Sequence, residues 1–291
     1  MTPPSATPPF AELRAALEAA GFRPSKTLGQ NLLLDPNAAR SIALDSGVAR
    51  GDRVLEVGAG AGALTRHLAD LEVDLVAVEI DGRLLELAQR HLGDRHALRW
   101  IHADVLESKH RLAAAVRAAL PDEGPWHVVA NLPYSISAPL LAVLARLPNP
   151  PTSMTVLVQA EVAERIAASP GEPAWGALSA RLALLYRRKL GREVGAQLFW
   201  PRPRVASRVA RLDLDRTPGL TPDELPGYDA LVEGLFQRRR KQLLSALKAH
   251  LGSREAAARA ISRAGLEPRR RPEELGAGPL LALLRSLEPP V

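Results

Sequence analysis

From Arg53 onward the chain alternates short apolar runs with helical stretches, and that alternation restricts the fold more than any other feature. The runs are Val54–Val57, Leu75–Glu79, Leu98–Ile101, Val128–Asn131 and Met154–Val158. Between them, residues near Ala63–Leu71, Arg83–His91, Arg111–Leu120 and Ala138–Leu147 have helical spacing. A short run that is apolar on both sides suits a strand covered on both faces. Such strands alternating with helices form parallel βαβ units, so the fold class is α/β with a doubly wound sheet. Upstream, Phe10, Leu13 and Leu17 mark a helix over Phe10–Ala20 that stops at Gly21, and a second amphipathic helix covers Asn37–Asp45. After Glu161 the chain is helix-rich; Val194–Leu198 and Val205–Leu212 then read as antiparallel edge strands. Asp215–Pro226 has linker composition, and Tyr228–Glu288 reads as four or five short helices. The expected layout is a leader and helix (1–23), an α/β domain (24–214), a linker (215–226) and a small all-helical domain (227–291).

Composition narrows the function. The 291 residues contain no Cys, which rules out a disulfide framework, a thiolate nucleophile and Cys-ligated metal. The seven His have no metal-ligand spacing, so no metal is expected. No run approaches the length of a membrane span, and the first nine residues, MTPPSATPP, read as a disordered leader rather than a secretory signal. A soluble, cytoplasmic protein is expected. The net charge of +6 is unevenly spread: residues 191–291 hold 18 Lys and Arg against 12 Asp and Glu, while residues 1–190 hold 20 of each. An anionic partner at the C-terminal end follows.

The segment from Val54 to Thr65 is a strand, a turn containing Gly58, Gly60 and Gly62, and a helix start. Glycines there let a ligand approach the backbone, and the helix start offers unpaired N–H groups. Nicotinamide, flavin and methyl-donor enzymes all use such turns. Glu79 closes the second strand about twenty residues on, where a carboxylate can bind both ribose hydroxyls. Asp104 ends the third strand, where it can accept from the exocyclic amine of adenine. Ribose plus adenine fits a dinucleotide and S-adenosylmethionine alike.

The fourth strand decides between them, because it ends in Asn131-Leu132-Pro133-Tyr134 at the carboxyl edge of the sheet, where ligands of open α/β sheets bind. The N6 lone pair of adenine is delocalised into the ring, so the amine is a poor nucleophile. The Asn131 side-chain oxygen and a carbonyl of Leu132 or Pro133 can accept its two hydrogens and favour a pyramidal nitrogen, which stabilises the transition state. Tyr134 offers a face on which an extruded base can stack. No strong base is needed, since the methylated amine loses its proton readily.

With these residues in view, the chain resembles the KsgA/RsmA family of small-subunit ribosomal RNA adenine dimethyltransferases, relatives of the Erm methyltransferases. The resemblance runs from about Lys26 to Leu287. Lys26–Asp35 is similar to the family's Gly-Gln-Asn-Phe-Leu opening, Val158–Arg165 to its Gln-Lys-Glu-Val segment, Phe199–Ser207 to its Phe-x-Pro-Pro-Pro-Lys-Val-x-Ser loop, and Phe236–Lys241 to its Phe-x-x-Arg-Arg-Lys helix. It implies a Rossmann-like methyltransferase sheet that uses S-adenosylmethionine without a metal. It implies donor contacts from Asn31, Leu33, Gly58, Gly60, Glu79, Asp104 and Asn131, and catalysis by Asn131, Leu132, Pro133, Tyr134 and Phe199. The implied reaction is dimethylation of N6 on two adjacent adenosines near the 3′ end of small-subunit (16S) rRNA, in ribosome biogenesis, by a monomer that meets the RNA or a pre-30S particle.

Departures are Leu32 for Phe, Ala59 for Pro, Ser135 for Asn, Ala160 for Lys, and Gln242-Leu243-Leu244-Ser245 after Lys241. An Erm-like large-subunit enzyme and an RNA-binding assembly factor with weak or no methyl transfer are the alternatives. A nicotinamide oxidoreductase follows only if the Gly turn is read in isolation. Phe199 and Trp200, followed by Arg202 and Arg204, suit base stacking with phosphate contact. Arg238, Arg239, Arg240 and Lys241 are expected to begin a helix and, with Arg269–Arg271, to bind the RNA backbone. Trp100, Trp126 and Trp175 are assigned to packing.

Overall fold

The computed structural model describes residues 10–19, 21–25, 28–215 and 219–287. The expected leader, together with Lys26 and Thr27 of the opening motif, lies outside the described residues. In chain order the elements are α1 (Phe10–Ala19), β1 (Leu32–Leu33), α2 (Pro36–Asp45), β2 (Arg53–Val57), α3 (Ala63–Asp70), β3 (Asp74–Glu79), α4 (Gly82–Leu92) and β4 (Leu98–His102). Next come β5 (Leu106–Ser108), β6 (Arg111–Leu112), α5 (Ala114–Arg117), β7 (His127–Asn131), α6 (Ser137–Leu144), β8 (Ser153–Gln159) and α7 (Ala160–Ala167). The chain continues through α8 (Ala177–Leu185), β9 (Tyr186–Val194), β10 (Phe199–Trp200), β11 (Ser207–Leu214), α9 (Leu225–Phe236), α10 (Leu243–Leu251), α11 (Arg254–Arg263) and α12 (Ala277–Arg285).

Packing divides the chain into two compact units: Met1–Ala163 with Lys189–Leu212, and Glu164–Arg188 with Asp213–Val291. The first unit is organised by a seven-stranded sheet in the order β4-β3-β2-β7-β8-β11-β9. Its first five strands pair in parallel. The central strands are buried almost throughout, β3 after its first residue and β8 up to its last, which explains why they read as continuous apolar runs. From β2 the chain builds outward to β3 and β4, then returns to the other side as β7. The carboxyl ends of β2 and β7 therefore form the switch point where such sheets bind ligands. Capping fixes two of the flanking helices. Asp35 accepts from the Ala38 N–H at 2.7 Å ahead of Pro36, and the Asp81 side chain accepts from the Arg83 N–H.

The second unit is helical, and its described helices share a core. Trp175, Ala180 and Leu184 pack with Tyr228, Leu231, Leu235, Leu247, Ile261 and Leu280. The Tyr228 hydroxyl donates to the Ala180 carbonyl at 3.1 Å, and Arg181 pairs with Asp229 and Glu233. Glu164–Arg188 thus shares a core with the C-terminal helices, although the sequence puts it with 24–214. Neither end of that segment carries a Pro- or Gly-rich break that would announce the change.

Three further expectations are corrected. Arg111–Leu120 is not one helix: β5 and β6 form an antiparallel hairpin, and only Ala114–Arg117 is α-helical. Leu112, Val116 and Leu120 are all buried, and their spacing of four residues imitates a longer helix. The strand expected at Val194–Leu198 lies upstream as β9, and Ala196–Leu198 is a 3₁₀ turn. β9 sits at the sheet edge and carries charges, among them Arg192 paired with Asp45 at 2.6 Å, which hide its period-two pattern. Arg238–Arg240 form a turn after α9 rather than the start of a helix. The packing roles of Trp126 and Trp175 hold, since both are fully buried.

Candidate active site

At the carboxyl ends of β2, β3 and β7 a cleft opens. It gathers Asn31, Gly58, Glu79, Asp104, Asn131 and Tyr134, six residues drawn from five separate stretches of the chain. Leu132 and Pro133 also line it. Leu33 and Gly60 line a smaller recess that shares Leu32, Gly58 and Asn131 with the cleft.

The floor of the cleft is backbone. Gly58 has φ +74°, and a Cβ there would stand 3.0 Å from Pro133 Cδ, so only glycine lets the turn lie against the Asn-Leu-Pro-Tyr strand end. Glu79 is 4% exposed. It accepts from the Gly60 N–H at 2.7 Å and from the Asp81 N–H at 2.9 Å. Burial raises its carboxyl above the ordinary value, and these two N–H donors act in the opposite direction. Each of its oxygens keeps a second lone pair for a hydroxyl donor. Asp104 is exposed and uses Oδ1 to accept from the Leu106 N–H at 2.9 Å, which leaves Oδ2 for a ligand.

On the other side, Asn131 Nδ2 donates to the Asn31 carbonyl at 3.1 Å, and Asn31 Nδ2 donates to the Gly29 carbonyl. The Asn131 bond uses one of its two amide hydrogens and orients the group, leaving Oδ1 as an acceptor. The Tyr134 hydroxyl lies 2.6 Å from Ser207 Oγ, and burial pushes its phenol upward from the ordinary value. The Pro133 carbonyl accepts from the Ile136 N–H at 3.1 Å, while the Leu132 N–H donates to the Leu157 carbonyl at 3.0 Å.

Several contributors have no place in the sequence reading. Gln30 accepts from the Ser25 N–H and donates to Asp81, linking the segment before Asn31 to the residue pair beyond Glu79. Against the cost of burial, hydrogen bonds from Arg83 and Gln30 hold the Asp81 carboxyl below its ordinary value. Glu56 is 1% exposed and lines the recess; its Oε2 has no hydrogen-bond partner among the described residues. Burial, reinforced by the Glu79 carboxylate, raises its pKa to about 8, so it keeps its proton at neutral pH. An acid inside the apolar run Val54–Val57 was the available signal for it.

Two assignments change. Phe199 is 2% exposed and packs with Leu33, Ile42 and Val209, so it is a core residue and not a ring facing the cleft. Its neighbour Trp200 is half-buried, 6.0 Å from the Phe22 ring, with the Arg14 guanidinium 5.7 Å from its centroid. Arg239 donates to the Pro173 and Trp175 carbonyls and faces Glu273 at 3.7 Å, which makes it a structural brace. Arg202, Arg204, Arg238, Arg240 and Lys241 are exposed. Among the described residues no cluster of three or more His, Asp or Glu is placed to hold a metal, and no helix is long and apolar enough to cross a membrane.

The site fits the adenosine end of S-adenosylmethionine. Its lining sets two carboxylates, Glu79 and Asp104, beside the glycine turn at Gly58, acceptors of the kind that ribose hydroxyls and an exocyclic amine require. Comparison with known proteins points the same way. A family model described as ribosomal RNA adenine dimethylase matches residues 21–277. Proteins named ribosomal RNA small subunit methyltransferase A are similar over almost the whole length. The one from Nocardia farcinica is 41% identical over 272 residues, 91% of this chain and 90% of that protein. The one from Leifsonia xyli subsp. xyli is 42% identical over 273 residues, 91% of this chain and 93% of its own. Among solved structures, the 23S rRNA methyltransferase ErmE superposes with TM-score 0.66 at 25% identity, covering 88% of this chain and 99% of that one. A dimethyladenosine transferase from Plasmodium falciparum has the same fold, with TM-score 0.70 at 22% identity over 86% of this chain and 94% of its own.

Proposed function

Because the chain belongs to the ribosomal RNA adenine dimethylase family, whose members use S-adenosylmethionine, we propose that it dimethylates N6 of two adjacent adenosines near the 3′ end of small-subunit rRNA. The supporting observation is the state of Asn131. One of its amide hydrogens is held by the Asn31 carbonyl, which orients the side chain and leaves Oδ1 as an acceptor in one cleft with Glu79, Asp104 and Tyr134.

When bound, S-adenosylmethionine supplies an electrophilic methyl group. Glu79 and Asp104 hold its ribose and adenine, and Gly58 allows the close approach. Asn131 Oδ1 accepts one N6 hydrogen of the target adenine. The Leu132 carbonyl is better suited than that of Pro133 to accept the other, because the Ile136 N–H already occupies the latter. Together they direct the nitrogen lone pair at the incoming methyl group, which stabilises the transition state more than the ground state. The Tyr134 ring stacks on the extruded base. Exposed Arg202, Arg204, Arg238, Arg240 and Lys241 contact phosphates of the rRNA or of a pre-30S particle, with the protein acting as a cytoplasmic monomer.

The test is mass-spectrometric mapping of N6-methylated adenosines in unmodified small subunits incubated with the protein and S-adenosylmethionine. Dimethylation at two neighbouring adenosines is the expected result. Methylation confined to large-subunit rRNA overturns the substrate, and binding of donor and subunits without any methylation overturns the enzyme.

A further inference from the structure

We propose that Ser207 is the positioning residue of the acceptor site, and that its hydroxyl, by holding the Tyr134 hydroxyl, fixes the ring on which the target base stacks. The inference rests on the reading of Tyr134 as that ring. Ser207 is fully buried at the start of β11, with its Oγ 2.6 Å from the Tyr134 hydroxyl. Tyr134 follows β7, and 73 residues separate the two. The tyrosine therefore lines the cleft with its body and turns its polar end inward. A ring anchored at the para position and at its own backbone, whose carbonyl accepts from Ser137 Oγ at 3.2 Å, has little freedom of orientation.

The anchor also ends a longer connection. At its other end the Phe199–Ser207 segment pairs with the donor side, Leu33 opposite Phe199 and Leu32 opposite Trp200. Pro203 is buried between them, while Arg202, Arg204 and Val205 remain exposed. The Ala206 carbonyl accepts from the Ala160 N–H at 2.9 Å, fixing the backbone beside Ser207. One segment thus touches β1 next to Asn31, offers two arginines to solvent, and closes on the stacking tyrosine. The hydroxyl pairing has a chemical consequence as well. Burial raises the phenol against the opposing pull of the Ser207 hydrogen bond, so the hydroxyl stays protonated and is not the group that removes the amine proton; Tyr134 acts through its ring.

The experiment is a double-mutant cycle on the full-length protein: Ser207→Ala, Tyr134→Phe, both together, and Tyr134→Ala as reference. Single-turnover methylation of unmodified small subunits is measured alongside S-adenosylmethionine affinity and melting temperature. Each single change leaves a buried hydroxyl without its partner, whereas the pair removes both. Ser207→Ala and Tyr134→Phe are each expected to slow transfer about tenfold, with the double variant no slower than either, because the two act as one unit. KM for subunits and donor affinity stay near wild type. Rate losses that multiply in the double variant, or a wild-type rate for Ser207→Ala beside a slow Tyr134→Ala, overturn the positioning role. A wild-type rate for Tyr134→Ala overturns the stacking role itself. Tyr134→Phe keeps the cycle informative even if Ser207→Ala fails to fold.

Discussion

Glu79 receives its hydrogen bonds from Gly60 and Asp81, 19 and 2 residues away in the chain, whereas Asn131 reaches 100 residues to Asn31 and Tyr134 meets Ser207 across 73. On the proposed reading the heart of the donor half is local, since one βαβ unit carries the glycine turn, the acidic strand end and the cap of the next helix. Asp104 beyond β4 and Asn31 before β1 complete it. The acceptor half is assembled from the segment before β1, the end of β7 and the start of β11. A local half depends on backbone conformation. An assembled half depends on side chains that meet only after the sheet has formed, so its losses should appear in rate before they appear in ligand affinity.

Asn131→Ala gives the sharpest test of that division. Removing one pre-organised acceptor should cost about 10²–10³ in single-turnover rate. Subunit binding should stay close to wild type, and a folded variant with a normal rate removes Asn131 from the acceptor half. The complementary change, Glu79→Ala, should raise the donor dissociation constant by about ten- to a hundredfold in calorimetry. Unchanged affinity in a folded protein removes Glu79 from the donor side.

The basic residues provide a smaller contrast. Replacing Arg238, Arg240 and Lys241 with Ala should weaken RNA binding regardless of sequence and reduce the salt slope by about one for each phosphate no longer neutralised. Arg239→Ala should instead cost about 1–3 kcal/mol of stability in denaturant melts, through its carbonyl partners, and leave the salt slope in place. Equal salt behaviour of the two variants would erase the distinction between footprint and brace.

The last prediction concerns pH. In the folded chain Glu56 keeps its proton up to about pH 8, against an ordinary value of 4.5. The folded state therefore binds more protons than the unfolded state between those values, and stability declines as pH rises from 4.5 through 8. Glu56→Gln, which cannot ionise, should flatten that decline when urea midpoints at pH 6 and pH 9 are compared. A wild-type slope in the variant assigns the effect to another group.

The sequence alone determined the parallel sheet, the glycine turn and the strand-end residues Glu79, Asp104 and Asn131. Each of these depends on a periodicity of a few residues or on the conformation of a single turn, and local chain chemistry controls both. It also determined that Tyr134 lies at the carboxyl edge, since strand and tyrosine are contiguous. Tertiary structure alone decided that Phe199 goes into the core while Tyr134 stays at the cleft. Both are aromatic, and only packing against Leu33, Ile42 and Val209 separates them. Packing likewise moved Glu164–Arg188 into the helical unit, because Trp175 and Leu184 find their apolar partners around Tyr228 and Leu231. The difference between Arg239 and its exposed neighbours arises in the same way. A run of four basic residues is uniform along the chain, and only the fold brings the Pro173 and Trp175 carbonyls to one of them.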